Sequence, residues 1–435
     1  MKIKELMAEH PDARRNEVAN YCSLYIGGKT VRDNLERFIV KRDIERYEAE
    51  RGERTHFWDA RKDRAWYVNR VKPLVNYLVS SILQEPPVLK GNEYFNALNN
   101  DADLKGRSLQ AVISSLTLAV LLTGRGYLTV VFTGTENQPL MGVLDGMDVL
   151  DWAYSNTDDR LLWVKVYRVE NVRSSDGKVS NMYNHIWHII SREDTKCYSY
   201  TNTKPIIDNF SEEDKEVSEA FSVDHDFRDV PMFDVVSPPG MFVMNELYDP
   251  AVALFNAEVG MRCFLADVAY PTRVFILSED EIGGMSRLDA VYKPRFAAVR
   301  LQAGEDYKLV SGNPDGYVPL QEDIRDSKLA LYEVLHALSA QAMVNQPQNA
   351  RQPTTAKMLD LGPMKATLKS FAVPLKETLE RWCKGVARYL DVEAPEVSGM
   401  DKFAEEIPPA SSFGLGARDK GSSGQEKGEN DGRTR

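Results

Sequence analysis

The sequence predicts an α+β fold, and three stretches with different hydrophobic spacing support that prediction. Residues 1–126 are dominated by helical spacing, residues 127–247 by the alternation that is typical of strands, and residues 248–391 by long helices around a short extended region. A change of apolar period from about 3.6 to about 2 marks the change from helix to strand. Strands collected in one block and flanked by helices are typical of an α+β protein.

The length and composition predict a folded protein of two or three domains. The chain has 435 residues, of which 43% are hydrophobic and 27% charged, as in ordinary globular proteins. It has no run of about 18 apolar residues, the length that a membrane-spanning helix needs. The first residues lack the apolar core and cleavage site of a signal peptide. We therefore expect no membrane among its partners.

The charges and cysteines narrow the classes of function. A protein that holds DNA by releasing counterions is usually basic, so a net charge of −11 disfavours tight, static DNA binding. An acidic wall around a DNA passage would repel the duplex and limit sticking, although solubility alone also accounts for the charge. Four cysteines lie far apart and form no C-x-x-C pair, which favours reduced structural thiols in a cytoplasmic environment. They are Cys22, Cys197, Cys263 and Cys383.

The N-terminal part is predicted to be helical. Residues 1–50 are charged and favour helices, with a turn at Gly27-Gly28. A second helical stretch, Trp58–Leu83, ends before Pro86-Pro87, because proline cannot continue a helix. A third, Ser108–Leu122, is apolar enough to be buried.

The block 127–247 is predicted to form an antiparallel β region. Its β-branched and aromatic residues alternate over several short runs, and residues 174–177 (Ser-Ser-Asp-Gly) carry a hairpin turn signal. An acidic segment, Phe210–Asp229, is predicted to be a loop. The predicted strands are Tyr127–Phe132, Leu161–Val172, Tyr183–Ile190, Cys197–Tyr200 and Met232–Val236.

The C-terminal half is predicted to be helix, extended segment, helix, polar loop and long broken helix. The first helix is expected to begin at Asp249 as N-cap, with Pro250 at the first helical position. The long helix carries apolar residues at alternating spacings of four and three, close to the 3.5 period of a stripe that faces another helix. We call its central residues the apolar seam and predict that it packs against copies of the chain. The seam residues are Leu368, Leu375, Leu379 and Trp382.

This order of elements resembles the portal proteins of tailed bacteriophages and related prophage elements. The resemblance extends over roughly residues 14–391. Residues 64–70 (Arg-Ala-Trp-Tyr-Val-Asn-Arg), followed by a helix that ends at Pro86-Pro87, are similar to an R-x-x-Y-x-N … P-P stretch of one portal subgroup. Residues 105–109 (Lys-Gly-Arg-Ser-Leu) and 123–127 (Thr-Gly-Arg-Gly-Tyr) continue the same pattern.

The resemblance implies a division of the chain into portal regions. These would be a helical wing part (1–126), a β-rich wing part (127–247), a first stem helix (248–269), a clip (270–318), a second stem helix (319–344), a tunnel loop (345–353), a long kinked helix (354–391), and a crown remnant with a disordered tail (392–435). Strands are expected in the clip at Thr272–Leu277, Ala297–Leu301 and Tyr307–Val310. Pro363 and Pro374 are the candidate kink points.

The resemblance also implies partners and a role. A portal is a ring, expected here to be a dodecamer, at one capsid vertex, and double-stranded DNA passes through its channel without sequence specificity. It nucleates head assembly with major capsid and scaffold proteins, docks the large terminase during packaging, and later holds the head-tail adaptor. Such a protein is located in the virion, and in the host cytoplasm during assembly. The chain itself would be no enzyme and would need no cofactor or metal.

Two groups of residues become DNA-facing candidates only through this resemblance. Polar side chains of the tunnel loop could touch a passing backbone through weak, exchangeable hydrogen bonds, and basic residues of the clip could approach phosphates or a partner. A solvent-exposed connector is the alternative for the loop. The loop candidates are Asn345, Gln346, Gln348, Asn349, Arg351 and Gln352, and the clip candidates are Lys293, Arg295 and Arg300.

Three motifs that could carry chemistry have simpler explanations. Gly28-Lys29-Thr30 resembles the end of a phosphate-binding loop, but a helix rather than a strand is predicted before it. His185 and His188 would point to opposite faces of one strand and could not readily share a metal. The carboxylates in residues 145–148 (Asp-Gly-Met-Asp) suggest a turn rather than a catalytic pair.

Two other classes of protein stay open from the sequence. One is a different structural protein of the particle, such as a capsid or adaptor protein. The other is an enzyme that acts on nucleic acid or a nucleotide. A ring with a through-channel would separate a portal from the first, and metal-dependent cleavage or ATP turnover would reveal the second.

Overall fold

The computed structural model describes residues 1–50, 56–132, 138–157, 160–173, 179–204, 215–269, 272–276, 306–310, 314–341 and 362–403. The chain divides into two compact units. The first consists of Met1–Val31, Asn69–Ala251 and Leu329–Arg435, and the second of Arg32–Val68 and Val252–Lys328. Helices and antiparallel sheets both contribute to the described residues, which confirms the predicted α+β class.

The N-terminal part is helical, as predicted, but its second stretch is interrupted. A break at residues 65–70 separates two helices where one was predicted over Trp58–Leu83. Asn69 explains the break, because its side chain donates to the carbonyl of Tyr25 at 2.7 Å and accepts from the N–H of Lys72 at 2.9 Å. The elements are α1 (Ile3–Met7), α2 (Arg15–Ile26), α3 (Lys29–Arg32), α4 (Asp43–Glu50), α5 (His56–Arg64), α6 (Val71–Ile82), β1 (Val88–Lys90), α7 (Glu93–Leu98) and α8 (Leu109–Thr123).

The predicted helix over Ser108–Leu122 is confirmed in position and burial. The Ser108 side chain accepts a hydrogen bond from the N–H of Ala111, which caps the first turn of α8. Gly124, with φ of +74°, ends the helix in the left-handed conformation that glycine adopts at little cost. The turn predicted at Gly27-Gly28 is also present, with φ of +68° and +56°.

The predicted β region forms two antiparallel sheets. In the described residues, a three-stranded sheet has the order Pro139–Asp145 (β3), Arg125–Phe132 (β2) and Met232–Val236 (β9), and a five-stranded meander follows the chain order from Val149–Tyr154 (β4) to Glu219–Asp224 (β8). The hairpin turn predicted at 174–177 lies outside the described residues, although the strands before and after it pair antiparallel. The strands are β2 (Arg125–Phe132), β3 (Pro139–Asp145), β4 (Val149–Tyr154), β5 (Leu161–Arg173), β6 (Val179–Ser191), β7 (Asp194–Asn202), β8 (Glu219–Asp224) and β9 (Met232–Val236).

Strand β8 corrects the prediction of a loop over Phe210–Asp229. All six of its side chains are exposed, so the segment carries no alternation of buried and exposed positions that a sequence pattern could reveal. Its strand conformation comes from backbone pairing with β7.

The five-stranded meander buries apolar side chains on both faces. On one face, Tyr167 and Trp187 pack with Ile3 and Leu6 of α1. On the other, Val164 and Val166 share a core with Tyr127 of the three-stranded sheet. The strands therefore lie between α1 and the second sheet where they are covered on both sides.

The described elements of the C-terminal half follow the predicted order but have different bounds. Its elements are α9 (Val243–Ala269), β10 (Thr272–Ile276), β11 (Asp306–Val310), α10 (Tyr317–Gln341), α11 (Gly362–Leu390) and β12 (Glu396–Ser398). Strands β10 and β11 pair antiparallel, and β12 pairs with β1. The strand predicted at Ala297–Leu301 and the start of the long helix at Thr354–Leu361 lie outside the described residues.

The predicted start of the first long helix was wrong. Helix α9 begins at Val243, and Pro250 lies inside it rather than at its first position. Val243, Met244 and Leu247 are all buried, so the apolar face of the helix begins before Asp249. Packing of this face stabilises the helix despite the proline inside it.

Of the two prolines predicted as kink points, one lies in the first turn of the last long helix and the other lies in its interior. Pro363 is the second residue of α11, where no intrahelical N–H bond is needed, so it is not a kink point. Pro374 lies inside the helix, as predicted.

Candidate functional site

The DNA-facing candidates from the sequence all lie outside the described residues. This holds for the tunnel-loop residues 345–353, including Arg351, and for the clip residues Lys293, Arg295 and Arg300. Their roles therefore stay predictions.

The apolar seam lies in the core of its own unit, which corrects the prediction that it packs against copies of the chain. Leu368 and Leu375 are 1% exposed, and Leu379 and Trp382 are 0% exposed. Helix α11 packs on β2, β9 and α6 within the first unit. No seam surface is left for another copy.

Specific contacts show how the seam helix fits its sheet. The Trp382 indole N–H donates to the carbonyl of Thr129 in β2 at 3.1 Å. The Thr378 hydroxyl donates to the carbonyl of Asp234 in β9, also at 3.1 Å. At Gly385 a Cβ atom would lie 2.9 Å from the ring of Phe227, so the absence of a side chain permits this close approach.

A polar network beneath the same sheet connects three strands. The Arg125 guanidinium donates to the Tyr154 hydroxyl at 2.6 Å, and that hydroxyl donates to the Asp234 carboxylate at 2.5 Å. Arg125 also lies 4.2 Å from the centre of the Trp152 ring, and the His10 ring stacks on the same ring at 4.2 Å. Burial and the nearby Asp234 raise the pKa of Tyr154. The network connects β2, β4 and β9.

One groove among the described residues contains a carboxyl group with a strongly shifted pKa. It has a volume of about 560 Å³ and is lined by Arg15, Met147, Asp148, Tyr167, Arg168, Val169 and Glu170. Burial, and then the charge of Asp145, raise the pKa of Asp148 to about 6, while Arg168 and Arg15 act in the opposite direction. Such a carboxyl can exchange a proton near neutral pH.

Two groups in or beside the groove, the Tyr167 hydroxyl and the Asp145 carboxylate, have a clear chemical state or structural position. Burial raises the pKa of Tyr167 to about 12, so its hydroxyl stays protonated at neutral pH. The Asp145 carboxylate accepts from the backbone N–H groups of Met147 and Asp148 at 2.8 and 3.2 Å, which is the geometry of a turn. The carboxylates in residues 145–148 therefore form a turn, as the sequence suggested.

The two histidines lie on opposite faces of β6, as predicted. His185 is fully buried, with Nδ1 2.7 Å from the Tyr167 hydroxyl and Nε2 3.0 Å from the carbonyl oxygen of Lys204. The His188 ring lies 6.5 Å from that of Phe221, and burial lowers its pKa. Within the described ranges, no group of three or more His, Cys, Asp or Glu residues could hold a metal ion.

Other sequence motifs also have structural positions. Gly28-Lys29-Thr30 follows helix α2, as expected, whereas a phosphate-binding loop would follow a strand. The cysteines are free thiols, and burial raises the pKa of Cys22 and Cys383 to about 12. In the part of the chain that the structure describes, no helix is long and apolar enough to span a bilayer.

The chain is similar to components of gene transfer agent (GTA) particles in solved structures. A chain in the virion of the native particle has 14% identity and a TM-score of 0.36, over 82% of this chain and 86% of that one. A chain in the neck of the empty particle has 14% identity and a TM-score of 0.39, over 78% and 82%. No family model matches the sequence, and no curated protein sequence matches it.

Proposed function

We propose that this chain is the portal subunit of a phage-like particle, a ring at one capsid vertex through which double-stranded DNA is packaged and ejected. The observation that supports the proposal is the order of elements in the C-terminal half. Helix α9, the β10–β11 pair, helix α10 and helix α11 follow one another in the order of the stem helix, clip, stem helix and long helix of the portal proteins that the sequence resembles.

The dimensions of the helices suit a channel wall. Helices α9 and α10 have 27 and 25 residues and span about 40 and 38 Å at 1.5 Å rise per residue. At the start of α10, Tyr317 and Val318 are 41% and 56% exposed, which offers apolar surface to a neighbouring copy. The two strands β10 and β11 form a sheet that is marginal alone and would gain stability from a neighbour's strand.

In this proposal the chain guides DNA and binds no cofactor. The tunnel loop (345–353), which contains Arg351, would line the constriction of the channel, where weak contacts to phosphates permit the DNA to slide. The large terminase would hydrolyse ATP, whereas this chain would act as no enzyme. Scaffold and major capsid proteins would bind the ring during assembly in the host cytoplasm, and a head-tail adaptor would bind it in the virion.

Negative-stain electron microscopy and mass photometry of the purified protein test the ring. We expect particles with a central hole and a mass near that of twelve copies of the 49.2 kDa chain, about 590 kDa. A particle without a through-channel, alone and with scaffold and capsid proteins, would favour another virion structural protein. Metal-dependent nuclease or ATPase activity of the pure protein would favour an enzyme.

The DNA-facing role of the loop has its own test. We expect Arg351→Glu to leave ring formation unchanged and to reduce the amount of DNA packaged, because a carboxylate would repel the passing phosphates. Arg46→Glu is the matched control, since the Arg46 side chain is 59% exposed and lies on helix α4. Full-length packaging by the Arg351 variant would remove the loop from the mechanism.

A further inference from the structure

Strand β8 leaves one edge of the five-stranded sheet without a partner among the described residues. It pairs with β7 on one side only. Exposed strand edges are templates for pairing with another chain, and proteins protect them with lysine, proline or a covering element. The four central residues of β8, Ala220–Val223, include neither a charge nor a proline.

The hydrogen-bond register determines which backbone groups point outward. The His225 N–H donates to the carbonyl of Glu193 at 3.0 Å, so the backbone of residue 225 is directed toward the β6–β7 side. The register pairs Thr195 with Val223, and hydrogen-bonded positions alternate along an antiparallel strand. The N–H and C=O groups of Ser222 and Asp224 are therefore directed away from β7.

The side chains at this edge combine apolar and acidic character. Phe221 and Val223, on one face of the strand, are 51% and 52% exposed. Glu219 and Asp224, at the two ends of the strand, are exposed carboxylates. A strand laid along this edge could pair with the outward backbone groups, cover both apolar side chains, and meet negative charge at each end.

We infer that the outer edge of β8 is a docking site for an extended segment of a partner protein that adds one strand to the sheet. The segment would carry apolar side chains at two alternating positions and lysine or arginine at its ends, because its charge must complement Glu219 and Asp224. The inference does not depend on the portal proposal.

Hydrogen exchange of the full chain, read at single amides by mass spectrometry, tests whether the edge is free. We expect the outward amides of Ser222 and Asp224 to exchange quickly and the inward amide of Val223 to be protected. Equal protection of all three at every protein concentration would mean that the edge is already covered by this chain. Protection of the outward amides that appears only at high protein concentration would make a second copy the occupant. Either result overturns the inference.

A labelled peptide tests the kind of partner. The probe alternates threonine with valine and has lysine at both ends, and its binding is followed by fluorescence anisotropy. We expect saturable binding, slower exchange at Ser222 and Asp224, and weaker binding at high salt. The same peptide with proline at its centre should not bind. Absence of saturable binding by the first peptide at concentrations of about 1 mM would overturn the inference.

Two substitutions at one position separate the edge from the fold. Ser222→Pro removes an outward N–H while leaving the bonds to β7, and proline is tolerated at that kind of edge position. We expect it to weaken peptide binding at least tenfold with unchanged circular dichroism, whereas Ser222→Ala keeps the N–H and should bind normally. Equal affinity for Ser222→Pro and wild type would also overturn the inference.

Discussion

Replacement of Trp382 by alanine distinguishes an internal core from a surface that joins copies of the chain. The Trp382 side chain is completely buried, and its indole N–H bonds the Thr129 carbonyl at 3.1 Å. Truncating a buried tryptophan to alanine costs about 3–5 kcal/mol, and the lost hydrogen bond about 1 kcal/mol. Because a domain is stable by only about 5–15 kcal/mol, we expect a large fall in the free energy of unfolding.

Urea unfolding followed by far-ultraviolet circular dichroism measures this effect. Trp382→Phe keeps an aromatic ring but loses the N–H, so we expect a smaller loss of about 1–2 kcal/mol. Val373→Ala is the control on the same helix, because Val373 is 40% exposed, and its cost should stay within about 0.5 kcal/mol.

Mass photometry of the same variants completes the test. A Trp382→Ala protein that unfolds at the wild-type urea concentration would contradict the internal packing of the helix. If such a protein had also lost its oligomeric mass, the prediction of a seam between copies would be restored.

Two further predictions concern charged groups. Burial raises the pKa of Asp148 to about 6 in the folded protein, above its ordinary value of 3.8, so its ionisation opposes folding at neutral pH. In urea unfolding, Asp148→Asn should therefore stabilise the protein at pH 7.5 and have little effect at pH 4. An equal effect at both pH values would refute this prediction. Arg61 and Glu45 form a buried ion pair at 2.6 Å, with side-chain exposures of 7% and 1%. Arg61→Met should lower the free energy of unfolding by about 3–5 kcal/mol, because it leaves a buried carboxylate unpaired, and adding Glu45→Gln should recover part of that loss. A double variant no more stable than the single variant would refute the pairing argument.

The sequence predicted those elements whose residues are buried with a clear period. The helix expected at Ser108–Leu122 and the strand at Met232–Val236 were placed to within about one residue. Both pack in the interior, where the periodicity of apolar residues reports directly on structure. The N-cap serine and the C-terminal glycine of α8 added local signals that need no tertiary contact.

The elements that the sequence missed depend on contacts between distant residues. Strand β12 exists because Glu396–Ser398 pair with Val88–Lys90, far away along the chain. Strand β8 exists through backbone bonds to β7 and buries no side chain of its own. Side-chain patterns do not reveal pairing partners of this kind. The sequence therefore predicted a loop for the region of β8 and a crown remnant for the region of β12.

The seam shows why a period alone does not identify what a helix packs against. A spacing of four and three places Leu368, Leu375, Leu379 and Trp382 on one side of α11, and that stripe can be buried by a helix or by a sheet. The carbonyl of Thr129 in β2 and the Phe233 ring of β9 beside Gly385 show that strands of the same unit cover the helix, together with α6.

This burial constrains the proposed ring. An interface between copies must use apolar area that a single chain leaves exposed, and the four seam residues are each at most 1% exposed. Tyr317 and Val318, at the start of α10, retain about half of their surface and lie on a helix of the proposed stem. Substitutions there should change the mass of the assembly before they change the stability of the subunit, which is the reverse of what we expect for Trp382.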